Sequence, residues 1–174
     1  MSKALISSEK IHHVHDHLTP LAIILVVPGL IVADIPQTHQ VAAAGLLIYS
    51  ILLNTWTARG DKDRLVSYGR FRVASNYVVN IVLLWILYAA WPLSWLLMLL
   101  MGAGVAVYQK RERAFGSSLA FAAMLLAIHG IFGDTTLFGW VSAATKAGVL
   151  VMFTLFINGL PGLGPWKERD EKRK

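Results

Sequence analysis

Residues 110–160 read KRERAFGSSLAFAAMLLAIHGIFGDTTLFGWVSAATKAGVLVMFTLFINGL. The stretch opens on a basic cluster and continues in two apolar runs, at about 114–133 and 137–160, which a short turn around Asp134 separates. Each run has about the 20 residues that an α-helix needs to cross ~30 Å of hydrocarbon. The stretch therefore predicts a membrane-embedded helical hairpin with its basic end on one side.

The rest of the chain repeats this pattern in four more apolar runs, at about 18–35, 38–57, 73–91 and 93–109. In lipid, the backbone hydrogen bonds of an open segment must be made within the segment, which leaves the helix as the available conformation. We therefore predict an all-α polytopic membrane protein, a bundle of six transmembrane helices. Residues 1–17 form its cytoplasmic or interfacial N-terminal segment, 18–160 its transmembrane domain and 161–174 a basic cytoplasmic tail.

The basic residues predict the orientation of this bundle. Every Lys and Arg except Lys146 falls in the N-terminal segment, the tail or the gaps after the second and fourth runs. Short loops rich in Lys and Arg stay on the cytoplasmic side during insertion. We therefore expect both termini to be cytoplasmic, in the inner (plasma) membrane of a bacterial cell.

Composition agrees with a membrane location. Of the 174 residues, 56% are hydrophobic and 15% are charged, whereas soluble domains have about 25% charged residues. Cytoplasmic flanks explain the net charge of +6, so we expect a bilayer with anionic headgroups as a partner, not nucleic acid. The chain has no cysteine, which excludes disulfides, Fe–S clusters and Cys-based zinc sites.

Lys146 is the one basic residue inside an apolar run. It lies about nine residues into the sixth run, roughly 13 Å below the outer boundary. Ser142 lies one turn above it, His129 would lie on the antiparallel fifth helix, and Asp134 and Asp34 are carboxylates in outer turns. One interpretation is an ion or substrate path, in which a buried lysine binds an anion or exchanges protons. The other is a lysine that extends to the interface and pairs with Asp134.

A second polar set lies nearer the cytoplasm. Asn76 and Asn80 are one turn apart on the third run, and Asn54 and Asn158 lie near the cytoplasmic ends of the second and sixth runs. These amides could continue the path from Lys146. The alternative is that they hydrogen-bond between helices and only hold the bundle together.

Small residues predict close contact between the last two helices. Ala143 with Ala147, and Ala144 with Gly148, have the small-xxx-small spacing. This spacing lets membrane helices approach closely.

Histidines offer a different chemistry near the N-terminus, in the segment His12-His13-Val14-His15-Asp16-His17. On a helix, His13 and His17 would share a face and form a weak candidate pair for a divalent metal. The segment differs from the H-x4-D-H motif of nickel/cobalt permeases, because only three residues separate His12 from Asp16. A pH-responsive anchor at the membrane surface is the other interpretation.

Haem would need two histidines at equal depth on facing helices. His39 and His129 are the only outer pair, and their predicted depths match poorly. The chain also lacks H-E-x-x-H, G-x-S-x-G and Walker signatures. We therefore expect no cofactor and no catalytic activity.

The last third of the chain carries a loose resemblance. Leu119-Ala120-Phe121 and the spacing from Trp140 to Lys146, before a Gly-containing apolar run, look similar to bacterial intracellular septation protein A-type proteins. The resemblance implies a small, polytopic, non-enzymatic inner-membrane protein. It includes no diagnostic motif and assigns no site residue.

Together these patterns predict a small non-enzymatic integral inner-membrane protein. It would be a transport protein for an ion or small solute, or an integral subunit of a larger membrane complex, as a homo-oligomer or with other membrane subunits. The alternative is a membrane-embedded enzyme or a redox or metal-binding subunit. That alternative would use His12, His13 and His17, or His39 and His129.

Overall fold

The computed structural model describes residues 20–58 and 62–160, with side chains except at residues 57–70 and 108. These residues form six α-helices and no strand, so the all-helical prediction is confirmed. The helices are α1 (Pro20–Val32), α2 (Gln37–Ala58), α3 (Lys62–Leu87), α4 (Leu96–Tyr108), α5 (Arg111–Phe132) and α6 (Leu137–Gly159).

Two helices in the described part of the chain, α5 and α6, are both long and apolar enough to cross a membrane. The apolar helical segments Pro20–Val32, Phe71–Leu87 and Leu96–Val107 are shorter. α3 begins well before the predicted third run because Lys and Arg are good helix formers and extend the helix into its polar flank. The sequence placed a turn at Pro92, and in the structure residues 88–90 and 93–95, which the third and fourth runs included, also lie in turns.

The chain divides into two compact units, Met1–Leu97 and Met98–Lys174. In the first unit, α2 and α3 pack against each other. α1 continues through Pro28, which cannot donate a backbone hydrogen bond. Beside this position, the indole Nε1 of Trp91 donates to the carbonyl of Leu25 at 3.0 Å. Gly29 makes this approach possible, because a Cβ there would lie 2.9 Å from the Trp91 ring.

In the second unit, α5 and α6 form a hairpin joined by residues 133–136. The buried side of α6 is a stripe at helical spacing, consisting of Gly139, Ala143, Ala147, Leu150, Thr154 and Asn158. Of the two small-residue pairs, Ala143 and Ala147 are therefore buried, whereas Ala144 and Gly148 are exposed. Gly102 of α4 lies directly against the hydroxyl of Thr154.

The outer surface of this hairpin is unusually apolar. Leu137 is 82% exposed, Phe138 80% and Met152 69%. In the most apolar windows of α5 and α6, 28% and 22% of the residues are buried. Apart from Leu150, the buried stripe of α6 thus consists of small and polar residues, and several of its large apolar residues are exposed.

Candidate functional site

A hydrogen-bonded amide cluster joins α2 to α3. Asn76 Nδ2 donates to Asn54 Oδ1 at 3.0 Å, and Asn54 Nδ2 donates to Asn76 Oδ1 at 3.4 Å. The hydroxyl of Ser50 donates to Asn76 Oδ1 at 3.0 Å. Ser50 and Asn54 share one face of α2 because they are four residues apart. Both asparagines are buried, at 8% relative exposure.

The polar groups of this cluster form hydrogen bonds with each other between α2 and α3. Burying an amide without a partner is costly, and here the two carboxamides satisfy each other. A further bond joins Tyr49 Oη and Ser75 Oγ at 2.8 Å on the exposed side of the same helix pair. Asn80 is partly exposed, and its side-chain amide makes no hydrogen bond to the described residues. The arrangement therefore fits the interpretation of Asn76 as a link between helices better than that of a path through Asn76 and Asn80.

Lys146 is half-buried on α6, at the border of the buried stripe. Ser142, one turn before it, is also half-buried. Within the described ranges, Lys146 has no ion pair and no hydrogen bond. The pairing with Asp134 that the sequence suggested is therefore not formed.

Asp134 acts locally, at the turn between α5 and α6. Its carboxylate accepts hydrogen bonds from the backbone N–H of Thr136 at 2.9 Å and from its hydroxyl at 2.6 Å. Thr136 in turn caps α6, because its Oγ1 accepts from Gly139 N at 3.1 Å. The hydroxyl of Thr136, and then its N–H, lower the pKa of Asp134, and the nearby His129 acts in the same direction.

His129 is buried and packs edge-to-face on Trp140, with ring centroids 4.9 Å apart and planes at 83°. His129 and Asp134 thus lie at the same hairpin end, as the sequence suggested for an outer cluster. The contact with Trp140 gives His129 a packing role.

The other predicted site residues are dispersed. Asp34 and His39 are exposed, in the connection before α2 and in its first turn. His12, His13 and His17 lie outside the described residues. Among the residues that are described, no group of three or more His, Asp or Glu side chains is arranged to hold a metal.

Asn158 makes hydrogen bonds between helices, which is one of the two interpretations that the sequence allowed for it, but the sequence did not indicate its partners. Its Nδ2 donates to the carbonyls of Ala106 at 2.6 Å and Gln109 at 2.9 Å, at the C-terminal end of α4. The Ala106 carbonyl lies in the last turn of α4, where helical partners are missing, and Gln109 directly follows the helix. The only signal in the sequence was an amide near the end of an apolar run.

Arg72 also departs from the sequence pattern. The charge pattern places it in a cytoplasmic flank, but it is buried at 1% relative exposure on α3. Long cations are rarely buried to this extent. Its position in a basic cluster of the sequence gave no sign of this burial.

No family model, curated protein or solved structure matches this chain. The resemblance of the last third to septation proteins therefore gains no support from these comparisons.

Proposed function

We propose that this chain is a non-enzymatic integral subunit of a larger inner-membrane assembly, built from copies of itself or with other membrane proteins. The observation that carries the proposal is Lys146, a cation without an internal partner in the described structure. The proposal includes the six-span topology with cytoplasmic termini.

The surface of the α5–α6 hairpin supports a membrane location. A helix in the core of a soluble protein would be largely buried, whereas only 28% and 22% of the residues in the most apolar windows of these two helices are buried. Large exposed apolar patches mark interaction or membrane surfaces. Phe138, Met152 and Phe156 would face lipid or a neighbouring chain.

The position of Lys146 supports a role in assembly. A lysine near the centre of a membrane helix costs about 2.5–3.5 kcal/mol on insertion scales, and such residues usually pair with a polar group. No described residue of this chain supplies one. A carboxylate or a carbonyl on a neighbouring subunit would lower this cost, since Lys146 is half-exposed at the edge of α6.

Transport is the second candidate, and a specific arrangement favours it. Lys146 and Ser142 lie one turn apart on α6, and both are half-buried. An ammonium and a hydroxyl on one face can bind an anion or small anionic solute together. In that case the free cation would serve a solute instead of a subunit.

Lys146→Met tests the proposal because it removes the charge and keeps an unbranched apolar side chain. Lys110→Met is the matched control: Lys110 is exposed and its side chain makes no capping hydrogen bond to α5. Native mass spectrometry of the gently extracted protein should show loss of the assembly in Lys146→Met and its retention in Lys110→Met. An unchanged assembly in Lys146→Met would refute the subunit role. Loss of anion flux in liposomes with an intact assembly would favour transport.

A further inference from the structure

The surface of α6 carries a second stripe of residues, which runs along most of the helix outside the buried one. Its members are spaced alternately by four and three positions, the spacing that keeps side chains in line with a second helix packed alongside. This outer stripe consists of Phe138, Ser142, Thr145, Val149, Met152 and Phe156. Ser142 is half-buried and the other five residues are exposed. The outer stripe therefore has the geometry of a helix-packing surface and is open in the described structure.

The other positions of α6 agree with this geometry. In the seven-residue repeat that begins at Ser142, Ala147 occupies the position that points away from a partner helix, and Ala147 is buried. Gly148 flanks the stripe, and even a Cβ added there would meet no atom. The hydroxyl of Thr145 donates to the carbonyl of Val141 at 2.8 Å, so the exposed Thr145 brings no unsatisfied donor to the stripe. A second helix could therefore approach α6 closely on this side.

Lys146 borders the outer stripe, between Ser142 one turn before it and Val149 one turn after it. In helix pairs, charged side chains that flank the contact in this way pair with charges on the other helix and select the partner. Within the described ranges, Lys146 has no ion pair and no hydrogen bond. Because an unpaired ammonium inside a membrane is costly, we expect a helix on the stripe to carry a carboxylate at the level of Lys146.

The carboxylates of this chain lie at the wrong depth to supply that group. All ten Asp and Glu residues lie in the termini, at the ends of the apolar runs or in the gaps between the runs. Lys146 is nine residues after the first residue of α6 and thirteen before the last, which places it about 13 Å from the nearer end. The side chain of lysine extends about 6 Å. A second copy in the same orientation has its carboxylates at the same levels, so it cannot bring one to Lys146.

From these observations we infer that the outer stripe of α6 binds a transmembrane helix of a different protein, which carries an Asp or Glu opposite Lys146. The inference rests on the proposed subunit role and narrows it, because it selects another polypeptide over copies of this chain. Lipid would cover the apolar members of the stripe equally well, but acyl chains supply no anion at the depth of Lys146. A hydroxyl group of a second copy would leave the charge uncompensated.

The test uses the full-length protein in phosphatidylcholine liposomes and a labelled Leu-Ala transmembrane peptide as long as α6, with Asp, Asn or Leu at its centre. Energy transfer from a label on the protein measures binding. The Asp peptide should bind about three- to tenfold more tightly than the Asn peptide, the range of polar contacts between membrane helices. Lys146→Met should remove this preference and Lys146→Arg should keep it. Lys110→Met, an exposed control outside α6, should change nothing.

A neighbouring pair of residues tests whether the peptide binds at the outer stripe. Phe138 and Leu137 are 80% and 82% exposed, and they lie on different sides of α6 because successive residues are about 100° apart. Phe138→Ala should weaken binding of the Asp peptide, whereas Leu137→Ala should have little effect. Equal effects of the two substitutions would place the peptide elsewhere and overturn the inference.

Two further results would overturn it. Equal binding of the Asp and Asn peptides by the unmodified protein would mean that the outer stripe faces lipid. Competition by unlabelled protein as strong as that by unlabelled Asp peptide would mean that the stripe joins copies of this chain. The subunit role is judged separately by native mass spectrometry. If Lys146→Met loses the native assembly while the peptides show no preference, the subunit role stands and only this inference fails.

Discussion

Asn76 on α3 lies opposite Asn54 on α2, and their carboxamides exchange hydrogen bonds in both directions, at 3.0 and 3.4 Å. Ser50 adds a third bond to the same oxygen of Asn76. Side chains on a helix are about 100° apart, so rotating either helix by one residue would separate all three groups. The pair therefore fixes the relative rotation and height of α2 and α3, which apolar packing alone specifies weakly.

Asn76→Leu should destabilise the protein by about 0.6–1.7 kcal/mol, because it leaves the amide of Asn54 and the hydroxyl of Ser50 with fewer partners. The measurement is reversible unfolding in mixed micelles. Asn80→Leu, one turn along α3, is the control and should have little effect, because Asn80 has no hydrogen bond within the described residues. In the double variant Asn54→Leu/Asn76→Leu, the loss should be smaller than the sum of the single losses. Additive losses would show that the pair is not coupled.

Gly102→Ala should destabilise the second unit by about 1–3 kcal/mol, because the added Cβ would meet the hydroxyl of Thr154. Thr154→Ala removes that hydroxyl, so Gly102→Ala/Thr154→Ala should recover much of the loss in thermal unfolding. Gly148→Ala is the matched control: a Cβ there meets no atom. A double variant as unstable as Gly102→Ala would show that α4 and α6 do not approach at this point.

Thr136→Val should raise the pKa of Asp134 toward its ordinary value, because the hydroxyl of Thr136 is the largest cause of its lowering. A lowered folded-state pKa means that the ionised carboxylate stabilises the turn above about pH 4, and that this stabilisation is lost as the pH falls through the lowered pKa. Carbon-13 NMR of the Asp134 carboxyl group in micelles measures the value directly. His129→Phe should move it less, and a larger shift in His129→Phe would contradict the assignment to Thr136.

Single cysteines test the proposed topology on a chain that has none of its own. Thr38→Cys and Thr135→Cys occupy exposed positions near turns predicted to be outside. Both should react with a membrane-impermeant maleimide in intact cells. Ser8→Cys, in the segment predicted to be cytoplasmic, should react only after the membrane is opened. Labelling of all three positions in intact cells, or of none, would refute the alternation.

The helical content could be predicted from the sequence because apolar runs are local properties. The predicted third and fourth runs meet at Pro92, whereas α3 ends at Leu87 and α4 begins at Leu96. Hydrophobicity cannot distinguish a helix from the turns at 88–95, and it misses the polar start of α3 at Lys62. A helix continues into water wherever its residues favour it, so its end need not coincide with the end of the apolar run.

The candidate site shows where local information stops. Lys146 could be identified from the sequence because a single charged residue in an apolar run is recognisable without knowing which residues contact it. The sequence could not pair Asn54 with Asn76, since that choice depends on how two helices rotate against each other. Asp134 instead bonds to Thr136, two residues away, in a local turn interaction that is typical of Asp before a helix.

The contact between Trp91 and the carbonyl of Leu25 spans 66 positions. A ribosome makes α1 first, but the indole that bonds beside Pro28 emerges only after α2 and α3. α1 is therefore synthesised first among these helices, but its hydrogen bond to Trp91 can form only after α3 has been made. A nascent chain stalled before residue 91 therefore lacks the hydrogen bond to the Leu25 carbonyl, even though α1 itself is complete.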